Sequence, residues 1–437
     1  MATRSYLEDI SSVLSSNVFT LFANLGLVVL LTRLLGTEGY GLFTALLVIP
    51  TLVVSFFQMG IRPTTVFMLG ASKENEHEIV SAMLTVLVFT SAFGILFSFG
   101  AYRLTGTQGY TPMLIGMALS TIPMRLTTIY TGGVFLGKEE IPLANRMNWL
   151  TGLLTLIIAG LLVYVLRLGL FGAVLSLLLG NAVVALNAFF LLQKRFHIRI
   201  NLHNKLILQM LGKGVFYALS FLTIQLNYRI DVVLLKVLST PSEIGIYSLG
   251  VSVAELLWQI PLAASVVVMS RTANSTDRQA INQSTARLLR ISLIIGLVLS
   301  AGIVLLSPWV VPLVFGSGYL PSVRVMQTIM PGILMIIVFR ILSGQLAGAG
   351  RPDAALKAFA PALLLNVALN YLWIPQYGAN GAVAATNISY SLASVIYLFV
   401  FSRISGMPLK ELFRFRKEDW NFVQRLLVAG RQRLKNR

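Results

Sequence analysis

The sequence predicts an all-α polytopic membrane protein of about 12 transmembrane helices, arranged as two parallel-related six-helix lobes around a central cavity. Three observations predict it. Of 437 residues, 56% are hydrophobic and only 11% charged, and the mean hydropathy of +0.80 is far too apolar for a soluble domain. Uncharged runs about as long as the ~20 residues of a bilayer-crossing helix recur from end to end. Short motifs in the first half return in the second at nearly one offset.

Taken in chain order, the spans read 10–32, 40–66, 79–101, 112–137, 147–165, 169–192, 214–236, 245–269, 289–306, 323–348, 356–374 and 380–402. The first begins after Glu8 and Asp9 and is uncharged from Ile10 to Thr32, too long for the roughly 7–15-residue core of a cleavable signal. The last two share one uncharged stretch, Ala358 to Ser402, about twice one pass. It is divided at Pro375-Gln376-Tyr377-Gly378-Ala379-Asn380, where Pro, Gly and Asn favour a turn. With both termini cytoplasmic, 25 of the 34 Lys and Arg lie on the cytoplasmic side and five outside, namely Arg33, Arg103, Arg167, Lys236 and Arg324. That bias sets the orientation.

The net charge of +18 is distributed as topology signals, between apolar runs and in the tail, so no nucleic-acid partner is expected. The chain has no cysteine, hence no thiolate site. Its histidines, His77, His197 and His203, lie in polar segments. No metal and no cofactor are expected.

Leu168-Gly169-Leu170-Phe171-Gly172-Ala173-Val174 matches Tyr377-Gly378-Ala379-Asn380-Gly381-Ala382-Val383 at an offset of 209. Tyr40-Gly41-Leu42-Phe43 matches Ile244-Gly245-Ile246-Tyr247 at 204, and Thr131-Gly132 matches Ser343-Gly344 at 212. Six spans per repeat is even, so both repeats enter from one side and are parallel, as in transporters. The organisation expected is a first lobe at 1–195, a basic cytoplasmic link at 196–210, a second lobe at 211–405 and a basic tail at 406–437. The tail mixes Phe413, Phe415, Trp420 and Phe422 with Lys and Arg, suiting anionic membrane lipid.

Charges inside spans are the candidates for chemistry, because each costs about 2.5–3.5 kcal/mol at a helix centre unless it lines a pathway. They are Arg62, Arg125, Arg229, Asp231, Glu255 and Arg340. Arg229 and Asp231, two apart, point to different sides of a helix and need other partners; Glu255 suits Arg229, and Arg125 or Arg340 suits Asp231. Four arginines against two carboxylates leave an excess of cation. A guanidinium fork matches phosphate oxygens, so an anionic, phosphate-bearing substrate is expected. Tyr228 and Asn24 complete the cavity set, with Asp231 and Glu255 as coupling or ion-pair residues. Pro50, Pro123, Pro261 and Pro331 interrupt corresponding spans of the two halves and are hinge candidates. Gly132-Gly133-Val134-Phe135-Leu136-Gly137-Lys138 fits a phosphate-loop pattern, but Glu139 stands where Ser or Thr should hold magnesium and no strand precedes it. Close helix packing is the better reading.

Arg33-Leu34-Leu35-Gly36-Thr37-Glu38-Gly39-Tyr40-Gly41 resembles the Leu-Gly-x-x-Gly-Tyr-Gly signature of polysaccharide exporters in the multidrug/oligosaccharidyl-lipid/polysaccharide superfamily. Asn227 to Leu235 with Glu243-Ile244-Gly245-Ile246-Tyr247, and Gly344 to Asp353 with Gly378 to Val383, are similar to their later segments. The resemblance covers nearly the whole chain. It implies an O-antigen (Wzx-like) flippase, not an enzyme, moving a polyprenyl-diphosphate-linked oligosaccharide to the outer leaflet. It also implies a multi-pass protein of a bacterial inner or archaeal plasma membrane, acting as a monomer beside polysaccharide assembly proteins, with Asp231 as the family's acidic residue in the seventh span. Twelve spans set it apart from lipid II flippases, which resemble it but usually have fourteen. The alternatives are a cation-coupled drug antiporter of the same fold and a membrane enzyme acting on lipid-linked sugars. The short outer loops, without paired carboxylates, count against the enzyme.

Overall fold

The computed structural model describes residues 6–71, 75–196, 204–274, 277–351 and 353–415. His197, His203, the rest of the basic link from 197 to 203 and the tail from 416 onward lie outside the described residues. Everything regular among the described residues is helical. A bilayer interior offers no partners to peptide groups, so a spanning segment must satisfy them within itself.

The helices are α1 (Tyr6–Phe57), α2 (Ile61–Ala71), α3 (Glu76–Thr105), α4 (Pro112–Gly137), α5 (Ile141–Ala159), α6 (Gly169–Arg195), α7 (Asn204–Leu238), α8 (Pro241–Ala254), α9 (Gln259–Asn274), α10 (Arg278–Phe315), α11 (Ser322–Gly348), α12 (Asp353–Ser405) and the short α13 (Leu409–Phe413). Nine stretches among the described residues are long and apolar enough to cross a membrane. Two of these, Val18–Gly70 and Asp353–Ser405, are 53 residues each, about twice what one pass requires. Backbone breaks divide them: Gly36 (φ 67°, ψ −174°) in α1 and Gly378 (φ 53°, ψ −130°) in α12. The second break falls inside the turn expected at Pro375–Asn380. With α8 and α9, which form one more span through a 3-10 turn at Glu255–Trp258, the twelve passes are accounted for.

Two compact units divide the chain, Met1–Leu249 with Val311–Leu320, and Gly250–Val310 with Pro321–Arg437. In the first, the core at one end of α4, α5 and α6 is built from Phe135, Ala144, Met147, Val184 and Ala188. Helix starts follow their sequence signals: Asn75 caps α3 by accepting from the His77 amide at 3.0 Å, and Thr111 caps α4 just before Pro112. In the second unit, Phe339, Phe359 and Tyr397 interlock edge to face, with ring centroids 4.5 and 4.9 Å apart. Outward faces are apolar in both units. Phe89, Phe93, Leu96 and Phe97 on α3, and Leu297, Val298, Leu305 and Trp309 on α10, are each more than half exposed. Such continuous apolar surface belongs against lipid.

The repeat is visible in backbone geometry. Gly169 (φ 56°) and Gly378 (φ 53°), 209 apart, both take left-handed conformations that other residues adopt at a cost. Three residues later, Gly172 packs on the Leu162 carbonyl and Gly381 on the Trp373 carbonyl. The phosphate-loop look-alike is a packing seam: Gly133 and Gly137 meet Arg62, Val66 and Leu69 of α2, while Gly344 and Gly348 of α11 meet Ser265 and Met269 of α9. Gly132 has open space where a side chain would go, whereas a Cβ on Gly344 would stand 2.6 Å from the Ser265 hydroxyl. Gly132→Ala should therefore be neutral or stabilising by about 0.5–1 kcal/mol. Gly344→Ala should lower the melting temperature in detergent, and equal melting of the two variants would contradict this packing.

Candidate functional site

In the first unit a polar seam runs where α1, α4 and α7 meet. Thr51 follows Pro50 on α1 and Ser55 lies one turn further, so both face the same way. Arg125 of α4 donates from Nη1 to Thr51 Oγ1 at 3.0 Å, and Gln225 of α7 donates to Ser55 Oγ at 3.4 Å. Arg125 is half-buried; its hydrogen bond goes to a neutral hydroxyl, and no carboxylate is paired with it among the described residues. Asn24 lies on the exposed side of α1, close to Gly152 of α5.

Farther along α7, Tyr228 is buried, Arg229 half-buried and Asp231 fully enclosed. Tyr247 of α8 donates its hydroxyl to Asp231 Oδ2 at 2.8 Å. A buried charge without hydrogen bonds costs several kcal/mol, so this hydroxyl matters to the ionised state. Tyr247, sixteen residues away along the chain, is a partner that carries no charge to advertise it.

Arg62 sits just past the break between α1 and α2, where Met59 (φ 49°) and Gly60 (φ 62°) leave the helix. The break has its own support: buried Tyr130 of α4 donates to the Phe57 carbonyl at 3.0 Å, satisfying one of the acceptors a helix end leaves open. Pro50 lies within α1, whose one non-helical residue is Gly36, so the interruption of this span is at Met59 and Gly60. Pro123 lies within α4.

In the second unit, buried Glu255 opens the 3-10 turn that precedes Pro261. The Arg340 guanidinium of α11 lies over the Trp258 ring, 5.1 Å from its centroid, a cation–π contact worth about 0.5–2 kcal/mol. Pro331 interrupts α11 nearby, and Asn387 of α12 repairs the break. Its Oδ1 accepts from the Gly332 amide at 2.8 Å and its amide nitrogen donates to the Thr328 carbonyl. Residues 328 and 332 are the pair an unbroken helix would join directly, so the Asn387 amide is inserted into the ladder. Gly332 must lack a side chain, because a Cβ there would stand 2.5 Å from Asn387 Oδ1. Sequence reading singled out Pro331 but not Asn387, Thr51, Gln225, Trp258 or Tyr247. The available signal was an amide or hydroxyl inside an apolar run, and for Trp258 an aromatic ring three residues from Glu255.

Comparison with known proteins adds the family. The model of the polysaccharide biosynthesis protein family matches residues 6–269, and that of the MatE family matches 217–372. The chain belongs to the polysaccharide biosynthesis protein family. A protein of Haloferax volcanii named as a low-salt glycan biosynthesis flippase, Agl15, is 22% identical over 412 residues, covering 91% of this chain and 83% of that protein. One of Shigella flexneri named as an O-antigen transporter is 20% identical over 390 residues, 86% of this chain and 93% of that one. The fold is shared with a solved structure of the lipid II flippase MurJ in an inward closed conformation, at a TM-score of 0.75 and 15% identity, covering 95% of this chain and 93% of that one.

Asn387→Leu should cost about 1–3 kcal/mol, since it leaves the Gly332 amide and Thr328 carbonyl unpaired in an apolar setting. A thermal melt in detergent measures it, and an unchanged melt would remove the ladder-repair role.

Proposed function

We propose that this family member is a flippase that moves a polyprenyl-diphosphate-linked oligosaccharide from the cytoplasmic to the outer leaflet. The observation that carries the reading is Arg125, a guanidinium inside the first unit that donates to a neutral hydroxyl and has no carboxylate paired with it among the described residues. A cation so placed is expensive until an anion arrives, and a diphosphate offers the oxygens that a guanidinium fork fits. Arg62, Arg229 and Arg340 add to the same cationic character, with Tyr228 and Asn24 as polar neighbours for sugar hydroxyls. The named activities of the Haloferax and Shigella relatives support the class of cargo. A cation-coupled drug antiporter shares the fold, but an excess of arginine repels cationic cargo. A transporter rather than an enzyme is the reading that the relatives support.

The membrane is read as a bacterial inner or archaeal plasma membrane, with both termini cytoplasmic and the turn at Gly36 outside. The protein is read as a monomer of two six-helix lobes working beside polysaccharide assembly proteins, with its basic tail on anionic lipid. Transport proceeds by exposing the membrane interior alternately to the two sides, with Pro123, Pro261 and Pro331 as bending points and, in the span that holds Pro50, the break at Met59 and Gly60. Asp231 and Glu255 are the coupling or ion-pair residues, since each carries a negative charge within the spans that hold the arginines.

Arg125→Ala should abolish export of lipid-linked oligosaccharide while leaving the protein inserted, and Arg125→Lys should restore only part, since a point charge lacks the bidentate fork. Full export by Arg125→Ala would overturn the diphosphate reading. Asp231→Asn, which mimics the protonated acid, should lose export driven by a proton gradient yet still bind substrate. Wild-type export that ignores collapse of that gradient would exclude the proton.

A further inference from the structure

The two copies of the motif that repeats at an offset of 204 touch each other. A Cβ on Gly41 would overlap the Pro241 carbonyl oxygen and lie 2.9 Å from the Gly245 amide nitrogen. A Cβ on Gly245 would overlap the Thr37 carbonyl oxygen and lie 3.2 Å from the Gly41 amide nitrogen. Thr37 and Pro241 are themselves 204 apart, so the contact maps onto itself when the two repeats are exchanged. A third pair at this offset, Thr44 and Ser248, places its hydroxyls 3.3 Å apart, and Ser242 donates to Thr37 at 2.9 Å. Positions 37, 41 and 44 share one helix face, as do 241, 245 and 248.

Other bonds ring this crossing within the same unit. Arg33 donates to the Leu313 and Val314 carbonyls at the end of α10, 2.8 Å for the latter, which are acceptors that a helix C-terminus leaves open. Tyr319 donates to the Gly36 carbonyl at 2.7 Å. The Lys236 ammonium lies over the rings of Tyr102 and Tyr110, 4.8 and 5.5 Å from their centroids, and donates to Thr105 at 3.1 Å.

We propose that the Gly41–Gly245 crossing is the outer gate of the transport cycle, resting on the transport reading and orientation given above. Backbone against backbone leaves no room for water, so the crossing seals. The side-chain bonds between the two repeat faces join hydroxyls, Ser242 to Thr37 and Ser248 to Thr44, and water can replace each of them. The aromatic interlock of Phe339, Phe359 and Tyr397 has no such replacement. A contact that is tight to water yet inexpensive to part is what a gate needs, and Cβ-free positions on both sides give it a single closed register.

The chain has no cysteine, so a pair can be introduced without background. Thr37→Cys with Ser242→Cys should cross-link on oxidation, and the cross-linked protein should lose export, which reduction restores; each single variant should export. Undiminished export by the fully cross-linked protein would overturn the gate. Independently, Ser55→Cys, about three turns deeper along the Thr44 face, reports access from outside. In a Gly41→Val background, which prevents closure, a membrane-impermeant maleimide should label it several-fold faster than in the wild-type background. Equal rates would also overturn the gate. If Gly41→Val does not insert, the cysteine pair decides alone. If the flippase reading fails while the gate stands, the labelling difference persists with no lipid-linked oligosaccharide export to block.

Discussion

Every peptide group in the hydrocarbon layer must find its partner inside the protein, and this requirement governs the rest of the structure. It restricts the chain to helices and makes every interruption an account to be settled locally. Where α1 ends, the Tyr130 hydroxyl takes the Phe57 carbonyl. Where Pro331 opens α11, the Asn387 amide reconnects Thr328 to Gly332. Helices can therefore bend at chosen places without losing their backbone bonds, and the repairing side chains hold the bends in position. Charged groups crowd the same regions, with Arg62 just past one break and Glu255 within a 3-10 turn.

The buried charges follow a related logic. Asp231 receives a hydroxyl from Tyr247 and Arg340 an indole face from Trp258, so neutral polar and aromatic groups help hold ionised side chains. Support of this kind adds a hydrogen bond or a cation–π attraction without itself cancelling the charge. Arg125 is held in the same way, by the Thr51 hydroxyl.

Much of this was legible in the sequence, for reasons specific to particular residues. The twelve passes follow from uncharged length alone, and the turn at Gly378 from Pro, Gly and Asn clustered in a run too long for one helix. The repeat was visible because Gly169 and Gly378 must both adopt left-handed conformations, which few residues tolerate, so the motif persists. The small residues from Gly132 to Gly137 were read as packing, and Gly133 and Gly137 do pack on α2. Three neutral partners were not legible. Tyr247, Trp258 and Asn387 are ordinary residues until a neighbouring helix brings them to a charge or a proline. The span interruption at Met59 and Gly60 was hidden by Pro50, a stronger local signal that α1 absorbs within its helix.

The 204-residue correspondence between Thr37, Gly41 and Thr44 and Pro241, Gly245 and Ser248 bears on how such a chain diverges. Residues that meet across an internal twofold serve both copies of a duplicated sequence, so a change in one must suit the other, and drift there is constrained twice. Residues away from that axis face different neighbours in each copy and are released from matching. Asn24 and Tyr228 also stand 204 apart, and they have become an amide and a phenol. Duplication thus preserves likeness where the copies meet and permits difference where they do not.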